Sequence, residues 1–232
     1  MKDSCNKPWV RGLMTVAKPF LGLKTCGAEN INPALGPSVF VANHGALSGP
    51  VAAILYLPVH FRPWIHDRML SPDMSAETMM ETFREKYNFL GQKRKKRILR
   101  RAAGCLSKAM EAFHPIPVSR SNPMNMVKTI QESVETLTGG DNLLIFPENP
   151  DAHYNAESFK KLHPAFGMLG YRYYQQTGRQ LAFYPCFSDM DKKRFSIGSP
   201  ILYAPEEDVR ESLRKLVSRV QDALIELSQS KS

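Results

Sequence analysis

The chain has 232 residues, of which 43% are hydrophobic and 23% are charged, and this balance is typical of a folded globular protein. At roughly 150 residues per domain, we expect a single domain over residues 1–232 and exclude repeat, collagen-like and disordered architectures. Lys and Arg number 31 against 22 Asp and Glu, and the net charge of +9 predicts an anionic partner: a phosphorylated metabolite, an anionic membrane surface or nucleic acid.

The first predicted element is an amphipathic helix within residues 1–22. Its apolar face is formed by residues three and four positions apart: Trp9, Leu13, Val16 and Phe20. This face covers either the protein core or a membrane surface, and both alternatives stay open. No apolar run approaches the roughly 20 residues of a membrane span, and the polar first residues do not predict a secretory signal.

After this helix, strands and helices alternate along the chain. Strands are predicted at 23–26, 38–42, 60–65, 116–118, 143–146, 181–187 and 195–197. Helices are predicted at 50–57, 76–88, 95–112, 123–138, 164–177 and 205–229. One face of the helix at 123–138 is lined by Val127, Ile130, Val134 and Leu137. The last helix is expected to bury Val209, Leu213, Leu216, Val220, Leu224 and Leu227. This alternation predicts an α/β fold whose mixed, mainly parallel sheet is flanked by helices.

Polar residues directly follow three of the predicted strands. They lie at 42–45 (Ala-Asn-His-Gly), 115–120 (Pro-Ile-Pro-Val-Ser-Arg) and 145–149 (Ile-Phe-Pro-Glu-Asn). Because α/β sheets bind ligands at the carboxyl ends of their strands, we expect the functional site there.

Five segments of the chain occur in a recognisable order. They are Gly27-Ala28-Glu29-Asn30-Ile31, Asn43-His44, Ile116 with Arg120, Phe146-Pro147-Glu148, and Tyr184-Pro185-Cys186. This order resembles that of the glycerolipid and lysophospholipid acyltransferase family (1-acylglycerol-3-phosphate acyltransferase-like). The motifs of that family read Gly-x-Glu-Asn-Leu, Asn-His-x4-Asp, Gly-x-Ile-x-x-x-Arg, Phe-Pro-Glu-Gly-Thr-Arg and apolar-x-Pro-apolar. The resemblance implies the family's α/β fold, similar to that of glycerol-3-phosphate acyltransferases.

The chain departs from these motifs at three places. Gly49 stands where Asn-His-x4-Asp has its Asp, and His114 stands where Gly-x-Ile-x-x-x-Arg has its opening Gly. The segment 149–151 (Asn-Pro-Asp) replaces the Gly-Thr-Arg of Phe-Pro-Glu-Gly-Thr-Arg. The chain therefore looks like a divergent member that lacks the motif Asp.

The resemblance implies an O-acyltransferase of phospholipid biosynthesis. Such an enzyme moves a fatty acyl group from acyl-CoA or an acyl carrier protein to a hydroxyl of a glycerophosphate or lysophospholipid. An imidazole suits this reaction because its ordinary pKa of about 6.5 leaves it neutral at cytosolic pH. The resemblance makes His44 the catalytic base, and it gives substrate-binding roles to Asn43, Arg120, Glu148 and Gly49. Arg120 would hold the acceptor phosphate, because its planar guanidinium makes two parallel hydrogen bonds.

Because Gly49 carries no carboxylate, another group would orient the His44 ring. The candidates are a backbone carbonyl, Ser48, Asp67, Glu148 and Asp151. The Glu148 carboxylate either contacts the acceptor or caps a neighbouring backbone N–H, and we favour an architectural role over proton transfer.

No metal or cofactor is expected beyond the donor thioester. Thioester attack needs only a base and oxyanion stabilisation, and the four cysteines form no C-x-x-C pair. Their wide spacing favours free thiols in a reducing compartment.

The run at 93–101 (Lys-Arg-Lys-Lys-Arg-Ile-Leu-Arg-Arg) contains no acidic residue. Such a run is either a solvated helix face or a contact for anionic lipid, and each basic residue near a membrane contributes about 1 kcal/mol. No nucleic-acid-binding motif accompanies it, so nucleic acid is the disfavoured partner. We expect a cytoplasmic protein, either free or peripherally bound at the inner face of the membrane. The alternative function is a catalytically silent homologue that binds lipid or acyl thioester.

Overall fold

The computed structural model describes residues 12, 18–19, 21–45, 48–67, 111–119, 123–148 and 161–230. The predicted helix at 76–88 and most of those at 1–22 and 95–112 lie outside the described residues. So do Arg120, Asp151 and the basic run at 93–101. None of the described helices is both long and apolar enough to cross a membrane.

In the described ranges of the chain, eight strands form one sheet. They are β1 (Lys24–Cys26), β2 (Ser38–Ala42), β3 (Phe61–His66), β4 (Ile116–Val118), β5 (Asn142–Ile145), β6 (Ala182–Asp189), β7 (Arg194–Ile197) and β8 (Ile201–Leu202). Their order across the sheet is β1-β7-β6-β2-β5-β3-β4, and β8 pairs with β6. Strands β6, β2, β5, β3 and β4 are mutually parallel, whereas β7 and β8 run antiparallel to β6. The predicted single-domain α/β fold with a mixed, mainly parallel sheet is confirmed.

Helices cover both faces of this sheet. They are α1 (Ser48–Tyr56), α2 (Pro123–Thr138), α3 (Gly167–Thr177) and α4 (Val209–Gln229). Because successive strand residues point to opposite faces, Val41 of β2 joins the hydrophobic cluster beneath α2, α3 and α4, and Phe40 joins the cluster beneath α1. The central strands β2 and β5 are thereby buried on both faces, which explains their continuous apolar runs.

Most predicted elements within the described residues are confirmed, with shifts at their ends. The helix predicted from residue 205 begins only at Val209, because Asp208 acts as its N-cap and accepts a hydrogen bond of 2.9 Å from Arg210 N. Val127, which the sequence pattern places on the apolar face of α2, is 60% exposed, and Met126 packs against the core in that turn instead. Strand β8 was not predicted.

Fewer apolar residues of α4 are fully buried than its sequence pattern predicts. Leu216, Val220 and Leu224 are buried. Leu213 and Leu227 are only partly buried against the same cluster, and Val209 in the first turn is also only partly buried.

Arg62 ties the outer part of the sheet to α2. Its Nε donates to His114 O at 2.6 Å, its Nη1 to Thr136 Oγ1 at 2.7 Å and its Nη2 to Glu132 Oε1 at 2.8 Å. One guanidinium thus connects β3, the turn before β4 and the middle of α2, because a planar fork can reach three acceptors at once.

The parallel register brings several strand ends to one edge of the sheet. Val41 is level with Ile145 of β5, and Ala42 is level with Cys186 of β6. The residues that follow these positions therefore meet at the carboxyl edge, where the sequence predicts the site.

Candidate active site

Asn43 is the first residue after β2, and its side chain is clamped to β6. Its Oδ1 accepts hydrogen bonds from Ser188 N at 2.8 Å and Ser188 Oγ at 3.1 Å, and its Nδ2 donates to Ser188 O at 3.2 Å. The residue is only 3% exposed. The amide thus continues the β2–β6 pairing one step beyond the strand, as a peptide group would.

His44 follows at the edge, with its backbone held and its side chain exposed. Its N–H donates to Glu148 Oε1 at 2.8 Å. Its ring meets the Phe146 ring edge to face, with centroids 5.8 Å apart and an interplanar angle of 81°. An imidazole in this position is accessible to a substrate at the carboxyl edge.

Glu148 is 6% exposed, so a buried carboxylate lies beside the end of β2. It is positioned by an antiparallel bridge with Leu162, and Pro147 O next to it accepts from His163 N at 2.7 Å. This geometry is that of the backbone cap that the sequence offered as one alternative for Glu148.

Gly49 lies in the first turn of α1, and its N–H donates to His44 O at 3.1 Å. A Cβ at this position would overlap with Asn43 O and would stand 2.5 Å from His44 O and 2.8 Å from His44 C. These neighbours are backbone atoms, which cannot swing aside as a flexible side chain can. The local backbone therefore leaves no room for the Asp of the resembled motif.

The other groups offered as partners of the His44 ring are placed as follows. Asp67 Oδ1 lies 2.8 Å from His66 Nδ1, so this carboxylate contacts the imidazole of the preceding residue at the end of β3. Ser48 begins α1, but its side chain, like Asp151, lies outside the described residues. The orienting roles of these three residues stay predictions, as does the phosphate-binding role of Arg120.

The remaining resembled segments have structural roles. Gly27 has φ 76°, and a Cβ there would overlap with Ile197 O. Asn30 Nδ2 donates to the same carbonyl at 2.8 Å, so this segment attaches the end of β1 to the end of β7. His114 has φ 49°, in the left-handed region that favours glycine, which explains why the resembled motif has a Gly at this position.

Cys186 is a cysteine of β6 that lies close to the site. It is fully buried, and burial raises the pKa of its thiol far above the ordinary range. A protonated, inaccessible thiol cannot form an acyl-enzyme. In the part of the chain that the structure describes, no group of three His, Cys, Asp or Glu side chains could hold a metal ion.

Two contacts of this site were not predicted from the sequence: Ser188 with the side chain of Asn43, and the Phe146 ring with the His44 ring. Ser188 lies just beyond the predicted strand at 181–187, and the observed β6 continues to Asp189. The only available signal was a polar residue directly after a strand, the same signal that identified Asn43 and His44.

Comparison with known proteins supports the fold assignment. No family model matches the chain, and no curated protein matches its sequence. The fold is that of an acyltransferase-like α/β domain. It is similar to the crystal structure of the 1-acyl-sn-glycerophosphate (LPA) acyltransferase, PlsC, from Thermotoga maritima, with a TM-score of 0.52 and 13% identity over 96% of this chain and 80% of that one. At this identity the likeness shows the fold alone.

Proposed function

We propose that the protein is an O-acyltransferase that moves a fatty acyl group from acyl-CoA or an acyl carrier protein to a hydroxyl of a glycerophosphate or lysophospholipid. The observation that carries the proposal is the exposed imidazole of His44 at the carboxyl edge, with its backbone N–H bonded to Glu148. The similarity of the fold to that of an LPA acyltransferase supports the same class of reaction.

The proposed reaction needs one base. The His44 imidazole takes the proton of the acceptor hydroxyl while the oxygen attacks the thioester carbonyl carbon. The tetrahedral intermediate then collapses, the carbon–sulfur bond breaks, and the thiolate leaves with the proton returned by the imidazolium. The products are an ester and a free thiol, and no redox step or metal ion enters the balance.

In this proposal one residue binds the substrate, and three others hold the backbone of the base in place. Arg120 follows Ser119 at the end of β4 and would bind the acceptor phosphate through its planar guanidinium. Asn43 and Glu148 support the His44 backbone through the hydrogen bonds described above, and Gly49 allows the close turn between β2 and α1.

The test is a mass-spectrometric measurement of acylated products from lauroyl- and palmitoyl-thioester donors with lysophosphatidate, glycerol 3-phosphate and lysophosphatidylcholine. His44→Ala is expected to reduce the product by about 100-fold or more while the circular dichroism spectrum is retained. The control is His163→Asn, which changes an exposed His but keeps a side-chain acceptor for Ala165 N. A folded His44→Ala protein with the wild-type rate would refute the role of His44.

One observation favours a second candidate, a catalytically silent protein that binds lipid or acyl thioester. The backbone around Gly49 excludes the carboxylate that the resembled family pairs with its His. The two candidates differ in the release of free thiol from the donor. Binding of the donor without thiol release or acyl product, with every acceptor tried, would favour the silent protein.

Attachment to a membrane belongs to the same proposal. The basic run at 93–101 and the predicted helix within residues 1–22 would bring the site to an anionic lipid surface. Flotation with anionic and neutral vesicles tests this, with Lys93, Lys95 and Lys96 changed to Gln. Equal flotation of variant and wild type would indicate a solvated helix face instead.

A further inference from the structure

Gly49 has no side chain that could orient the imidazole of His44, so other groups at the carboxyl edge of the sheet must do so. A base must keep a defined direction, because a misplacement of about 1 Å costs roughly 100-fold in rate. A carboxylate at position 49 would act on the imidazole ring, and the backbone around Gly49 excludes it. The described contacts of this segment are an edge-to-face contact of the His44 ring with Phe146, a hydrogen bond to the His44 backbone, and hydrogen bonds to the side-chain amide of Asn43.

On one side, β6 holds the residue that precedes His44. The amide of Asn43 makes three hydrogen bonds with Ser188: two to its backbone and one to its hydroxyl. Both residues are buried, with 3% of Asn43 and 7% of Ser188 exposed. In this environment a lost hydrogen bond is not replaced by water, so the hydroxyl helps to define the orientation of the amide.

On the other side, β5 leads to the group that holds His44 itself. Glu148 Oε1 accepts from His44 N at 2.8 Å. The peptide that links Asn43 to His44 is therefore fixed from both neighbouring strands of the sheet. The direction of the His44 Cα–Cβ bond follows from this fixed peptide, because the backbone dihedrals determine where Cβ points.

We propose that Ser188 is a positioning residue for His44, acting through Asn43, and that this clamp from β6 fixes the backbone from which the His44 side chain extends. The catalytic part of the inference rests on the proposed function, whereas the structural part does not. The hydroxyl is the component that can be tested by itself, because the Ser188 backbone bonds to Asn43 remain when the side chain is removed.

The kinetic test compares Ser188→Ala, Ser188→Thr and a control variant. Ser188→Ala is expected to lower kcat by about 10-fold with the KM of donor and acceptor unchanged, because orientation of a base acts on the transition state. Ser188→Thr keeps the hydroxyl and is expected to restore most of kcat. The control is Ser133→Ala on α2, a buried hydroxyl that donates to Thr129 O and accepts from Trp64 Nε1.

Ser133→Ala removes comparable hydrogen bonds away from the edge, so it should lower the melting temperature without changing kcat. If Ser188 has only a structural role, Ser188→Ala should likewise lower the melting temperature and leave kcat unchanged. An unchanged kcat in Ser188→Ala, or an equal loss of kcat in the two Ala variants, overturns the inference.

A second measurement does not depend on turnover. In protein labelled with 13C at the His Cε1 position, the His44 resonance, assigned by its loss in His44→Ala, should broaden or split in Ser188→Ala. It should stay single in Ser133→Ala. If the resonance responds in this way while wild type transfers no acyl group, the proposed function fails and the positioning by Ser188 stands. If the resonance is identical in all variants, the positioning role is wrong whether or not the protein is an enzyme.

Discussion

Placing the missing carboxylate at Gly49 is the most informative single change. The local geometry predicts that Gly49→Asp lowers stability instead of completing the site. A Cβ at this position would overlap with Asn43 O and would stand 2.5 Å from His44 O. Overpacking of a buried position costs about 1–3 kcal/mol, and it offsets the gain of about 1 kcal/mol that Ala has over Gly in an open helix. Because the overlap is with backbone atoms, we take the upper end of this cost and expect Gly49→Ala to lower the free energy of unfolding by about 2 kcal/mol.

Gly49→Asp adds a charge to the same obstruction. The position is buried, and an ionised carboxylate taken from water loses several kcal/mol of hydration unless it is well paired. We therefore expect Gly49→Asp to be less stable than Gly49→Ala, with a total loss of about 4 kcal/mol. This is a large part of the roughly 5–15 kcal/mol that stabilises a typical domain.

Urea unfolding followed by circular dichroism measures both changes, and the acyl-transfer assay is run on the fraction that remains folded. Gly12→Ala is the matched control, because Gly12 is helical and exposed and its Cβ would meet no atom within 4 Å. That variant should gain about 1 kcal/mol at most. If Gly49→Asp is as stable as wild type and transfers acyl groups faster, position 49 has room for the carboxylate and our reading of this turn is wrong.

Three further predictions concern the frame around the site. Arg62→Ala should lower the free energy of unfolding by about 3 kcal/mol in urea titration, since it leaves Thr136 and His114 O without their donor, and Arg62→Lys should recover only part of this loss. His114→Gly should be more stable than His114→Ala by about 1 kcal/mol in the same titration, because φ is 49° there, and equal stability would contradict the conformational argument. Because burial raises the pKa of the Cys186 thiol, a thiol reagent should label Cys186 only after unfolding, as peptide mass spectrometry can show; rapid labelling of native protein would contradict its burial.

The elements that the sequence predicts best are those with a self-contained signal. The strand at 38–42 and the strand at 116–118 coincide with β2 and β4, and the helix at 123–138 coincides with α2. Turn and cap residues mark the ends of these elements, and a regular pattern of apolar residues lies between those ends. In contrast, β8 has two residues, Ile201 and Leu202, and it exists because β6 offers them pairing partners. A signal that comes from a distant strand is absent from the local sequence.

The candidate site divides in the same way. His44 was found because a reactive side chain follows a strand, which is a local pattern, and the fold brings that strand end to the edge as expected. Ser188 is 145 residues away from Asn43, and only the β2–β6 register brings the two together. The start of α4 was also misplaced by a local ambiguity. Acidic residues are favoured both at the N-cap and in the first turn of a helix, so the sequence did not show that Asp208 is the N-cap.

Two departures from the resembled motifs differ in their physical character. At His114 the backbone is left-handed, so the glycine of the motif would fit without strain and the departure can be reversed. At Gly49 the carbonyls of Asn43 and His44 occupy the space of a side chain, so the Asp of the motif cannot be restored without moving the turn that carries the proposed base. Position 114 only adds conformational strain, whereas position 49 changes how a base at this edge can be oriented. Without a carboxylate at position 49, the direction of the base depends on the backbone that carries it. The hydrogen bonds between Asn43 and Ser188, together with the one from His44 N to Glu148, hold that backbone.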